Sequence, residues 1–290
     1  MNDRPAKAAR TDFEGKGSSA RALLRLSGYF LLTVLVIPSQ WLVLRLGLPN
    51  PGRIPLIYHR VCTRLMGFDI TVRGERSTTR PTLFVSNHVS YIDITVLGSL
   101  ISASFIAKAE IDGWPFFGLL ARLQRTVFIQ RRAIEAAQQR DDIAGRLRAG
   151  DSLVLFPEGT SDDGNFVLPF KSALFAVAQR GVDEPLTVQP VSIAYTALDG
   201  IPMGRLMRPY VAWYGDMSLM PHLRRMLGLG RIAVTVEFHP PVRGDGFDSR
   251  RALADYCFSL VDGGVQAALS GRALPPPAVP QPSGSAVAHS

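Results

Sequence analysis

The feature that most restricts the fold of this chain is an alternation of short apolar segments with longer stretches of helical period. FDITVRG near 68, TLFVS near 82, SFIAKA near 104, TVFIQ near 126, SLVLF near 152, LTVQPVSIAY from 186, YVAWYG from 210 and RIAVTVEFH from 231 are brief and rich in β-branched or aromatic residues, the composition of strands. Between them, residues 91 to 101, 133 to 148, 170 to 180, 218 to 227 and 249 to 269 carry helical patterns. In the second of these Ile134, Ala137, Ala144 and Leu147 share a face, and Gly150 is placed to end the helix. Strands alternating with helices build an α/β domain with a largely parallel sheet flanked by helices, since a parallel crossover needs a connection of helix length. Ligands collect beyond the carboxyl ends of such strands.

A hydrophobic share of 47% in 290 residues is ample for one packed core. The reading divides the chain into a basic, disordered arm (1 to 20), a membrane-associated helical segment (21 to 66), the α/β domain (67 to 272) and a disordered tail rich in Pro, Ser and Ala (273 to 290). The formal net charge of +8 suits nucleic acid, an anionic membrane surface or an acidic carrier protein. Nucleic acid is disfavoured, because the aromatic residues sit in apolar runs and no zinc or helix-turn-helix pattern is present. Cys62 and Cys257 provide neither a disulfide framework nor metal-ligand spacing, as expected of a reduced, cytosol-facing environment.

Leu26 to Leu44 contains no charged residue. As a helix it would extend about 28 Å, close to the roughly 30 Å of a bilayer core. Pro38 lies near its middle and favours a kink or break. Arg21 and Arg25 precede the segment, and Arg45, Arg53, Arg60 and Arg64 follow it, so the positive-inside rule asks both flanks to face the cytoplasm. A re-entrant pair of short helices satisfies both flanks; a single span satisfies one. The re-entrant arrangement leaves the domain on the side where acyl donors are made, and the expected location is the cytoplasmic face of a membrane, in a bacterium the inner one.

Two polar clusters follow strand-like runs. After TLFVS, NHVSYID sets His88 five residues before Asp93. An imidazole held by a carboxylate is a general base able to activate a hydroxyl at neutral pH. Ser90 and Asp93 also fit the S-x-x-D box that starts helices. After SLVLF, FPEGT offers a turn at Pro157, a carboxylate at Glu158, close backbone approach at Gly159 and a hydroxyl at Thr160. IDGWPFFGLLARL at 111 to 123 has the composition of an acyl-chain groove, a membrane contact or core.

Together these motifs resemble the glycerolipid acyltransferase family, of the 1-acyl-sn-glycerol-3-phosphate acyltransferase type, over most of residues 68 to 240. The His-x4-Asp of His88 and Asp93 is similar to the first block, FIQRR at 128 to 132 to the second, FPEGT to the third and PVSIAY from Pro190 to the fourth. The resemblance implies transfer of an acyl group from a thioester, on acyl carrier protein or coenzyme A, to a lysolipid hydroxyl. It makes His88 and Asp93 catalytic, and Arg131, Glu158, Gly159, Thr160 and Lys171 acceptor-binding. No cofactor or metal is implied, since the chemistry uses a single histidine. The chain departs from the family where Ser161, Asp162 and Asp163 follow Glu-Gly-Thr in place of the usual arginine. A phosphate headgroup meets like charge there. The acceptor is expected to be 1-acyl-sn-glycerol-3-phosphate, giving phosphatidic acid; the alternatives are a lyso-ornithine lipid and, from another class, a non-catalytic membrane-binding protein. A hydrolase using Ser86 or Ser161 lacks the G-x-S-x-G elbow.

Overall fold

The computed structural model describes residues 17–129, 137–180 and 186–272. The expectations of disorder for the N-terminal arm and the tail lie outside these residues for 1–16 and 273–290. The strands are β1 (Phe68–Gly74), β2 (Thr82–Ser86), β3 (Ser104–Lys108), β4 (Val127–Ile129), β5 (Leu153–Leu155), β6 (Thr187–Leu198), β7 (Ile201–Pro202), β8 (Ile232–Phe238) and β9 (Val242–Arg243). They form one sheet of order β1-β8-β6-β2-β5-β3-β4, with β7 and β9 on β6. The run from β6 to β4 is parallel throughout; β8 is antiparallel to β6 and parallel to β1. The sheet is therefore mixed around a parallel centre.

The helices are α1 (Ser19–Arg45), α2 (Arg53–Met66), α3 (Ile92–Leu100), α4 (Phe117–Leu123), α5 (Ala137–Arg148), α6 (Ala176–Arg180), α7 (Leu219–Gly228) and α8 (Arg250–Ser270). Central strand β2 is buried along its whole length. Phe84 joins the cluster formed with α2, α3 and α7, whereas Leu83 and Val85 join the cluster formed with α5, α6 and α8. That two-sided burial explains its unbroken apolar run. YVAWYG, expected as a strand, is instead a 3₁₀ turn at Arg208–Tyr210 followed by a loop. Tyr210, Val211 and Ala212 are buried, so its apolar character reflects a buried loop. Pro209 removes one ladder donor.

The N-terminal segment also differs from expectation. α1 starts at Ser19, with Ser18 Oγ accepting the Arg21 N–H, and runs through Pro38 without a break. It lies along the domain from end to end. The Arg25 guanidinium donates to the carbonyls of Leu227 and Leu229 at the end of α7, Thr33 Oγ1 bonds Tyr58 of α2, and Gln40 Nε2 donates to the carbonyls of Pro51 and Leu123. These contacts lie on both sides of the proline position, where one backbone bond is lost, and tie the two halves of the helix to the same domain. Its other face exposes Leu23, Leu24, Phe30, Leu31, Val34, Leu35, Trp41 and Leu42.

Candidate active site

β2 ends at Ser86, and the chain turns through Asn87 to Tyr91 before α3 begins. Asn87 fixes that turn by pairing both ways with the backbone of Ile193 on β6. His88 Nδ1 lies 2.8 Å from Asp93 Oδ2. A carboxylate oxygen only accepts, so Nδ1 carries the proton and Nε2 is left as the basic nitrogen. Asp93 is fully buried and well supplied with donors: its Oδ2 also takes the N–H groups of Val89 (2.6 Å) and Ser90 (2.9 Å), and its Oδ1 takes the Tyr195 hydroxyl (2.7 Å). One carboxylate thus orients the imidazole and holds the turn that leads into α3; of the S-x-x-D box only the bond back to the Ser90 N–H forms, while the buried Ser90 Oγ has no hydrogen-bond partner among the described residues. The His88 ring stacks on Phe156 with centroids 4.2 Å apart and remains 21% exposed.

The FPEGT turn leaves β5 beside this loop, as β5 and β2 are parallel neighbours. Glu158 points inward. Its Oε1 accepts the His88 N–H at 2.6 Å and its Oε2 accepts the Leu168 N–H at 2.8 Å, so it clamps the two loops together. Burial pushes its carboxyl up to about 8, opposed by those two N–H groups. Gly159 has φ +69°, and a Cβ there would collide with Lys171 Nζ, so glycine lets the Lys171 ammonium lie over the turn. Thr160 and Lys171 are exposed. Arg131 lies outside the described residues.

Asp162 and Asp163 behave differently. Asp163 is consumed by its own turn, accepting the backbone and side-chain N–H groups of Asn165 at 2.8 Å, while Arg208 holds Asn165 Oδ1. The backbone N–H of Asp162 reaches His88 O at 3.4 Å. Its carboxyl is half-buried, and burial raises its pKa. The loop after Tyr210 closes the site: Trp213 donates its N–H to Val89 O, and Ser161 Oγ donates to Trp213 O. Tyr195, Asn87 and Phe156 were not singled out by sequence reasoning, although Tyr195 lies within PVSIAY and its spacing of four from Val191 marks it as facing the same side of the strand.

An apolar cavity of about 240 Å³ opens beside His88, between the sheet domain and α1. The segment at 111 to 123 contributes Ile111, Trp114, Phe117 and Leu120, and α1 contributes Tyr29 and Val36. Its lining and its position suit a hydrocarbon chain whose reacting end lies at His88.

Residues 69–194 match the family model described as Acyltransferase. The chain is 45% identical over 260 residues, 88% of its length and 97% of the relative's, to a lyso-ornithine lipid O-acyltransferase of Brucella abortus. This chain belongs to the acyltransferase family. It is an enzyme of the glycerolipid acyltransferase type. It is 33% identical to a 1-acyl-sn-glycerol-3-phosphate acyltransferase of Neisseria gonorrhoeae, over 60% of this chain and 65% of that one. In fold it is similar to the crystal structure of the 1-acyl-sn-glycerophosphate acyltransferase PlsC of Thermotoga maritima, with a TM-score of 0.62 over 88% of this chain and 98% of that one, at 24% identity.

Proposed function

We propose that the enzyme is a lyso-ornithine lipid O-acyltransferase that works on a membrane surface and forms ornithine lipid. The observation that carries this reading is the 45% identity to a relative of that name across nearly the whole of that relative. It reverses the lean toward 1-acyl-sn-glycerol-3-phosphate drawn from sequence. The acidic turn supports it: a phosphate meets Asp162 beside Ser161, which stands where the family pattern has arginine, whereas the amine of an ornithine headgroup finds there a carboxylate whose ionised form gains from a cation.

In this mechanism His88 Nε2 takes the proton of the acceptor hydroxyl as its oxygen attacks the thioester carbonyl carbon. The tetrahedral intermediate collapses, the carbon–sulfur bond breaks, and His88 returns the proton to the departing sulfur. Asp93 keeps the ring in the reactive tautomer and stabilises the imidazolium. Glu158 and Gly159 shape the acceptor site from below, and Lys171, with Thr160 and Arg131, holds the headgroup carboxylate. The thioester is carried by acyl carrier protein or coenzyme A. α1 lies in the cytoplasmic membrane surface with its exposed apolar row in the hydrocarbon boundary, as an in-plane amphipathic element does.

The test is to incubate purified enzyme with an acyl thioester and, separately, lyso-ornithine lipid and 1-acyl-sn-glycerol-3-phosphate, identifying products by mass. Ornithine lipid should form faster, and His88→Ala should lower the rate by about 10²–10⁴-fold. Efficient phosphatidic acid formation with no ornithine lipid would overturn the acceptor assignment. Near-normal turnover by His88→Ala would overturn the base assignment.

A further inference from the structure

At the edge of the parallel strands opposite His88 lies a second cavity, of about 510 Å³, bounded by the segments that enter β2, β3 and β5 and by the start of α2. Its charge is one-sided. Arg53, Arg60, Arg76, Arg80 and Arg125 line it, against the single carboxylate of Asp151. Asp151 is already taken, by Arg125 at 2.7 Å and by Arg146 at 2.6 Å. Arg60 and Arg76 each give one N–H to a backbone carbonyl, of Ser99 and Leu100. Those bonds orient the guanidinium groups without neutralising them. Among the described residues, none of Arg53, Arg60, Arg76 and Arg80 has an ion-pair partner. Four uncompensated guanidinium groups around one open cavity repel one another, and an anion that accepts several N–H bonds relieves this; a phosphate group has the oxygens and geometry to do so.

The surroundings indicate where such a phosphate comes from. Arg53, Ile57, Arg60, Val61 and Arg64 share the exposed face of α2, at the spacing of one helical side. Ile57 is 49% and Val61 38% exposed, and Leu46 and Leu48 in the turn before α2 are also exposed. Cations interleaved with bare aliphatic side chains, and linked to α1 by a turn that exposes Leu46 and Leu48, suit the level at which headgroups meet acyl chains. We propose that this arginine cavity is a binding site for the phosphate headgroup of an anionic membrane lipid, separate from the acyl-transfer centre, which docks the enzyme beside its substrates. The proposal rests on the membrane-surface reading of α1 and is independent of the acceptor's identity.

The test measures partition of the full chain onto vesicles of phosphatidylcholine alone and of phosphatidylcholine mixed with phosphatidylglycerol. Binding to the first reports the seating of α1; the increment on the second reports the cavity. The double variant Arg76→Gln/Arg80→Gln should lose about 10–30-fold of the binding to mixed vesicles, at the usual strength of one basic side chain near an anionic surface, with binding to phosphatidylcholine unchanged. Arg250→Gln/Arg251→Gln removes the same charge at the start of α8, which packs on the other face of the sheet, and should leave both unchanged. Equal losses in the two double variants would mean diffuse attraction and overturn the site, as would no loss in either. Thermal stabilisation by inorganic phosphate that Arg76→Gln/Arg80→Gln abolishes, with vesicle binding unaltered, would assign the cavity to a soluble phosphate and overturn the lipid source. Retained acyl transfer in detergent reports folding; if the double variant lacks it, Arg80→Gln alone, in the loop before β2, replaces it under the same criteria.

Discussion

The two longest helices, α1 and α8, obey opposite rules. α8 buries Leu253, Cys257, Val261 and Val265 and turns Arg251, Asp255, Ser259 and Gln266 to solvent. α1 turns Arg25, Tyr29, Thr33 and Gln40 toward the protein and shows its leucines, Phe30 and Trp41 to the outside. The same physics produces both patterns if the two helices face different solvents. A polar side chain on α1 is satisfied by protein carbonyls and hydroxyls, and an apolar one is stable where the surroundings are themselves apolar.

The largest effect expected of this contrast comes from placing one charge on each helix. Val261→Asp buries a carboxylate in the apolar cluster with Val167 and Val265 and should cost at least about 4 kcal/mol, seen as loss of the cooperative urea transition in detergent. Leu35→Asp, at a site 65% exposed, should leave that transition within about 0.5 kcal/mol while lowering binding to phosphatidylcholine vesicles about tenfold or more. Equal destabilisation by the two would break the contrast.

A smaller effect concerns acid. His59 and His222 lie on the α1 side of the sheet; His239 lies on the α8 side, with Nε2 2.7 Å from Ser192 Oγ, which in turn donates to Val261 O. All three are buried, and burial pushes each from its ordinary 6.5 down to about 4. The unfolded chain therefore binds more protons than the folded one between those values. Stability is intact above about pH 6.5 and falls as pH drops toward 4, by roughly 1–3 kcal/mol per histidine. Melting temperature against pH should flatten in part in His59→Gln and in part in His239→Gln. A curve unchanged in both variants would remove buried histidine as the cause.

The smallest effect tests how α1 is held. Arg25→Ala removes the bonds to the Leu227 and Leu229 carbonyls, at 3.1 and 2.8 Å, and should cost about 1 kcal/mol at this half-exposed site. Hydrogen exchange should show lost protection in the first turns of α1 and none lost in α8. Parallel losses in both helices would show that α1 does not open independently.

The parallel centre of the sheet was legible because its strands are buried on both faces and read as unbroken apolar runs. YVAWYG was misread because a buried loop has the same composition, and composition carries no record of whether backbone partners form a ladder. The His88–Asp93 pair was legible because its spacing is local, with both residues at the start of one helix. Tyr195, more than a hundred residues away, completes the same carboxylate through the β2–β6 pairing, and long-range pairing leaves no local mark. The orientation of α1 had a signal in the stripe of Arg25, Tyr29, Thr33 and Gln40, but that stripe is short of the usual polar face, and Pro38 in its midst favours a break.

Because a single oxygen, Asp93 Oδ2, receives both the imidazole proton and the N–H groups of Val89 and Ser90 in the turn that leads into α3, the alignment of His88 is only as durable as that turn. Val89, Ser90, Ile92 and Asp93 are all buried, and a helix start so enclosed opens with the core around it and not before it. Warming should therefore silence the enzyme only as the domain itself melts, so that activity and the cooperative transition are lost together.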